Sequence, residues 1–372
     1  MARIISYIAK ETGGTNFNSH KYKHENMGLS TIQYDDFAEY NLKYLCETRK
    51  EDKSINLKLY AEDILSKTEP LFAYFLDGSR RTFKVDDISY NQEVFPIIAG
   101  QVCVACCKRQ NKNMEAFKLR KHNVIALPKK SFNEHIMGSQ TNELKDKINN
   151  QTSKNIEFSK ILPYKTADKD KLEDKAVAEI QTHMMKEEQN MVKELVDNRL
   201  LSQNKYLLKD GSLEYKNQHM KEKELYKFKE AYKYIVGVSK SFNPANFKDK
   251  RGNVITENVA NLPLYHRTPV SMYEYEKLKF AVWYIRIRDI KYTNDIYSGI
   301  LKIEKILVTD KEIENGIDSE EVDLISANII NERNPVCYGN DKRWANHLYP
   351  VYITEQYAKS QYLSNQMFLN IF

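Results

Sequence analysis

Leu71-Phe72-Ala73-Tyr74-Phe75-Leu76-Asp77-Gly78-Ser79-Arg80-Arg81 is an apolar, strand-like run that reaches an Asp-Gly-Ser signal. Tyr206-Leu207-Leu208-Lys209-Asp210-Gly211-Ser212-Leu213 repeats the pattern. Asp-Gly marks a turn, so each stretch predicts a strand that delivers a carboxylate where the backbone bends away. Two such carboxylates converging across adjacent strands make a site for hard divalent cations, which take oxygen ligands. That arrangement is the core of a metal-dependent centre for phosphodiester cleavage. The competing reading is two surface turns that share a tripeptide.

Working outward, residues 71–85, 94–107 and 116–127 predict three strands joined by short polar connections, an antiparallel meander. Val177, Ile180, Met184, Met191 and Leu195 recur at the helical period and predict a long helix over 167–198. The strand ending in Asp210 follows. Residues 221–232 then read as a charged helix and 234–240 as a strand. Residues 280–290 and 300–308 read as a hairpin pair, 319–331 as an amphipathic helix, and 351–369 as a final helix behind Pro350. Residues 1–66 predict a helical N-terminal extension, with helices over 35–46 and 56–65. Residues 67–372 form one domain, with an irregular insertion at about 129–165. A meander, a long helix and a fourth strand are the layout of an α/β fold, a ribonuclease H-like mixed sheet flanked by helices. In that layout the ends of the first and fourth strands lie side by side, and Asp77 meets Asp210.

The 372 residues, 41% hydrophobic and 29% charged, suit a folded chain rather than a disordered one. A net charge of +6 permits nucleic-acid contact without demanding it. Five cysteines, with Cys103, Cys106 and Cys107 in one apolar run, predict buried strand residues in a reducing compartment, not a disulfide framework. Cys103 and Cys106 lack the second ligand pair that a zinc site needs. The apolar patch at residues 1–5 is too short for a signal sequence. No apolar run approaches the ~20 residues of a membrane span. The expected location is cytoplasmic, with no membrane association.

A two-metal site needs three or four anionic ligands. Glu188 completes the apolar stripe of the long helix. A carboxylate there is costly unless something pairs with it, and a metal would do so; otherwise it lies at the stripe's edge and reaches water. Glu187 points farther off the stripe. Glu355 falls in the first turn after Pro350, where the helix dipole also favours an acid. Lys240, just past its strand, is placed to contact a scissile phosphate, or else is an exposed strand-end lysine. Arg80 and Arg81 offer forked donors to a neighbouring phosphate. Tyr284 or Trp283 offers a face for a base, and strand alternation leaves at most one of them available.

Five pieces of the chain resemble the NurA nucleases in order. Four are Phe75 to Arg80, which an acidic helix follows, Leu207 to Leu213, Ile235 to Lys240 and the aromatic-rich Phe280 to Ile287. Arg343, Tyr349-Pro350 and Glu355 to Lys359 resemble the family's C-terminal motif. The resemblance spans residues 70–362. It implies a ribonuclease H-like fold and a nuclease that uses two Mn²⁺ or Mg²⁺ ions on DNA, as an exonuclease, a single-strand endonuclease or both. It implies a homodimer that works with a HerA-like hexameric ATPase in DNA end processing or anti-phage defence. By position, Asp77 and Asp210 would be metal ligands and Glu187 or Glu188 a third. The family's C-terminal histidine falls on Glu355. A glutamate binds hard metals but cannot act as histidine does. That departure keeps a second class of function open: a non-cleaving DNA-end clamp or regulatory subunit of the ATPase.

Overall fold

The structure, a computed structural model, describes residues 4–24, 42–152, 156–166, 171–215, 220–243, 253–254, 256–293, 295–334 and 344–372. The expected helix over 35–46 lies partly outside these residues, as do Cys337 and Arg343. Helix α1 (Ile4–Thr12) precedes short strands β1 (Thr15–Asn16), β2 (Tyr22–Lys23) and β3 (Ile55–Asn56), then α2 (Lys58–Lys67). The meander follows as β4 (Phe72–Tyr90), β5 (Glu93–Gln110) and β6 (Asn113–Pro128). Next come α3 (Met137–Gln151), β7 (Phe158–Tyr164), α4 (Leu172–Asp197), β8 (Tyr206–Asp210), α5 (Glu222–Ala231) and β9 (Ile235–Ser239). After α6 (Thr256–Ala260) run β10 (His266–Arg267), β11 (Ser271–Tyr275), β12 (Leu278–Arg286) and β13 (Ile300–Ile306). Helices α7 (Asp310–Asn315), α8 (Ser319–Asn331), α9 (Tyr349–Ser360) and α10 (Asn365–Leu369) end the chain.

One large mixed sheet joins these strands in the order β3-β10-β12-β13-β9-β8-β4-β5-β6-β7, with helices on both faces. On one face α4 sets Ile180, Met184 and Met191 against Leu76, Val102, Val104 and Cys106. On the other, α8 packs on Phe75, Leu208, Val236 and Val238, and Ala358 of α9 packs on Cys103 and Ala105. Strand β5 is therefore covered on both sides, which is why its sequence is a continuous apolar run instead of an alternation. Cys103, Cys106 and Cys107 are buried and unlinked, and burial pushes each thiol up. Among the described residues no helix is long and apolar enough to cross a membrane.

The first Asp-Gly-Ser is not a turn. Strand β4 continues through it to Tyr90, paired with β5 from Tyr74↔Lys108 to Tyr90↔Glu93. Gly78 is there for space: a Cβ would lie 2.2 Å from Glu188 Oε1 of α4. The second is a true turn, with Gly211 at φ +81° and its N–H donating to the Val238 carbonyl at 2.8 Å. The expected irregular insertion contains α3 and β7, which pairs in parallel with β6. Helix α3 buries only Leu144 and Ile148, too few apolar positions to show a period. The predicted final helix is two, α9 and α10, the second capped by Ser364. Among the described residues the N-terminal extension carries two helices but also feeds the sheet. β1 and β2 pair with β4, β3 pairs with β10, and Lys43 forms a strand bridge to Met272 where helix was expected. Buried Glu47 holds Arg267 at 2.8 Å, and Asp323 holds the same guanidinium at 2.6 Å.

Candidate metal centre

Strands β4, β8 and β9 run parallel, with Leu76 beside Lys209 and Asp210 beside Val238. Pairing between β4 and β8 stops at that level, so Asp77 and Asp210 stand together at the carboxyl end of the shorter strand. Side chains alternate between faces. Leu76 and Gly78 face α4, so Asp77 leaves toward α9. Leu208 belongs to the α8 face, so Asp210 leaves on that same side. Lys240, two residues past Val238, follows suit. Its Nζ lies 2.8 Å from Asp210 Oδ2 and 3.6 Å from Glu355 Oε2. Glu355 projects from α9, where Lys359 also pairs with it.

Asp77 is 6% exposed, and its carboxylate makes no hydrogen bond or ion pair among the described residues. Burial, with Asp210 next, raises its carboxyl well above the ordinary range; Glu355 and Glu188 add to this and Lys240 opposes it. Burial works against the Lys240 ammonium, but Asp210, Glu355 and Asp77 outweigh it and hold the charge. The result is a set of three carboxylates gathered around one ammonium.

Glu188 lies on the opposite face. Its Oε2 is 3.1 Å from Lys209 Nζ, and both side chains are 5% exposed. Burial raises the Glu188 carboxyl and Lys209 pulls it back. Lys209 Nζ also donates to the carbonyls of Asp210 at 2.9 Å and Ser212 at 3.1 Å, so Glu188 secures the lysine that braces the Asp210 turn. Gly237 completes the cradle, since a Cβ there would meet Gly211 O at 3.0 Å.

The structure thus brings together Asp77, Asp210, Lys240 and Glu355 and leaves Glu188 behind the sheet. Glu187 is held by Arg120 at 3.1 Å. Arg81 lies on the Asp77 side, its guanidinium 4.6 Å over the Tyr362 ring. Arg80 points the other way, to Gln181 of α4. Neither aromatic candidate offers a face: Trp283 is 0% exposed, and Tyr284 is 2% exposed among Phe242, Val259 and Ile300. The strand is covered on both sides, so alternation sends each residue into a core. Lys209 and Gly78 were missed as supporting residues. Their signal was alternation: the residue beside each aspartate faces α4.

No family model matches the chain, and no curated protein matches it. Among solved structures it is similar to the NurA nuclease from Sulfolobus solfataricus. That similarity is 11% identity over 86% of this chain and 84% of that one, at a TM-score of 0.43.

Proposed function

We propose that this chain is a divalent-cation-dependent nuclease that hydrolyses phosphodiester bonds of DNA on a ribonuclease H-like sheet. The observation that carries the proposal is the gathering of Asp77, Asp210 and Glu355 on one face, with Asp77 buried and unpaired. A buried carboxylate without a partner is costly. A dication set among hard oxygen donors removes that cost, so the residues fit the group. The sequence resemblance, whose motifs include both aspartates, supports the same reading.

Asp77, Asp210 and Glu355 would hold Mg²⁺ or Mn²⁺, two ions by the resemblance. When bound, such ions supply an activated water and stabilise the leaving oxygen of an in-line displacement. Lys240 orients Asp210 and offers N–H donors to a phosphate oxygen. Arg81, on the same face, presents a fork that suits a neighbouring phosphate. Asp77→Asn and Asp210→Asn should each abolish Mn²⁺-dependent cleavage of labelled DNA while leaving the circular dichroism spectrum and DNA affinity intact. Full activity in either variant would remove the proposal. The resemblance extends it to a HerA-type ATPase and a dimer. Co-purification with such an ATPase and light scattering of the chain alone test those parts.

A second reading, a DNA-end clamp or regulatory subunit of the ATPase, is favoured by Lys240. Its ammonium already supplies a cation to Asp210 and Glu355. Calorimetric titration with Mn²⁺ separates the two readings, because a clamp has no need to bind the ion.

A further inference from the structure

On the α4 face, away from the carboxylate set, three ligand-type side chains converge from two elements. His122 comes from β6, and His183 and Glu187 come from successive turns of α4. The i, i+4 spacing puts the last two on one side of the helix. One ligand atom from each of the three lies within 4.8 Å of the others. His122 Nδ1 and His183 Nε2 are 2.8 Å apart. His183 and Glu187 are 6% and 7% exposed, and His183 Nδ1 is buried without a hydrogen-bond partner among the described residues.

We propose that His122, His183 and Glu187 form a transition-metal site of the zinc class, separate from the carboxylate set and clamping β6 to α4. Two imidazoles and one carboxylate match the donor preference of Zn²⁺ or Co²⁺, whereas Mg²⁺ prefers oxygen alone. A ligand imidazole must be neutral. The 2.8 Å contact between the two rings shares one N–H, and that proton must leave for both facing nitrogens to bind a metal. Glu187 is engaged by Arg120 at 3.1 Å, but the same guanidinium also reaches Glu194 at 3.1 Å. Arg120 therefore keeps a partner when Glu187 turns to a metal. Three protein ligands would leave a fourth coordination position for water.

Equilibrium dialysis of the full chain against Zn²⁺ in excess Mg²⁺ tests the site, with Co²⁺ absorption as a second probe. One zinc should be retained by the wild type and equally by Asp77→Asn and Asp210→Asn. His122→Gln and His183→Gln should weaken it by ~100-fold or more, the scale on which metal-site residues act. Should these variants fail to fold, X-ray absorption of the zinc-loaded wild type gives the answer without them: two imidazoles and at least one oxygen around the metal. Three results would overturn the proposal: no zinc retained by the wild type, retention unchanged in a folded histidine variant, or retention lost in Asp77→Asn instead. A spectrum without imidazole scattering would do the same.

Discussion

Replacing Asp77 by Asn should stabilise the metal-free protein while abolishing cleavage. The carboxylate is 6% exposed, lacks a hydrogen-bond or ion-pair partner among the described residues, and feels Asp210 and Glu355. An asparagine of the same shape carries no charge, and its amide can donate to those carboxylates. The full gain should be about 1–3 kcal/mol, the range of a buried unsatisfied polar group. The sign with pH follows from the raised native carboxyl. The native state keeps its proton at pH values where the unfolded aspartate has lost it. Wild-type stability therefore falls as pH rises from the ordinary aspartate range through the native value. The advantage of Asp77→Asn should be absent below about pH 4 and full above the native value. Urea unfolding in EDTA at pH 4 and at steps upward from it follows the advantage as it appears. Saturating Mn²⁺ should then reverse the order, since an ion at 1,000 times its Kd stabilises the wild type by about 4.1 kcal/mol. A variant that is no more stable than wild type at any pH above 4, or equally favoured at pH 4, would refute the reasoning.

Three further outcomes follow from the two-faced arrangement. Gly78→Ala puts a methyl on Glu188 Oε1 and should cost ~1–3 kcal/mol by overpacking, while Glu188→Ala strands buried Lys209 and should cost ~3–5 kcal/mol. The double variant should cost less than the sum by ~1–3 kcal/mol, because the atoms the methyl strikes are gone; urea unfolding that finds additivity within ~0.5 kcal/mol would contradict the contact. Arg81→Ala should weaken DNA binding and lower the salt slope by about 1, and Arg80→Ala should not; fluorescence anisotropy showing the reverse order would move the interface to the α4 face. Tyr284→Phe should leave DNA affinity within about twofold, and a larger loss would return that ring to the interface.

Local pattern in the chain was enough for the meander, the long helix and the strand ending at Asp210. Hydrophobic period and chain order determine those features, and they survive in whatever context the strands find. The side of the sheet that each polar residue occupies was legible only by alternation. The turn reading of Asp77-Gly78-Ser79 hid it, because Gly78 answers to Glu188 and not to a bend. Helix α3 and the short strands of the first 66 residues carry too few apolar positions to announce themselves; partners distant in sequence order them. Tertiary structure alone decided that Glu188 faces Lys209, that Tyr284 lies in a core, and that His122 meets His183. Each depends on what covers a strand from above, and that cover comes from segments that no local period relates to it.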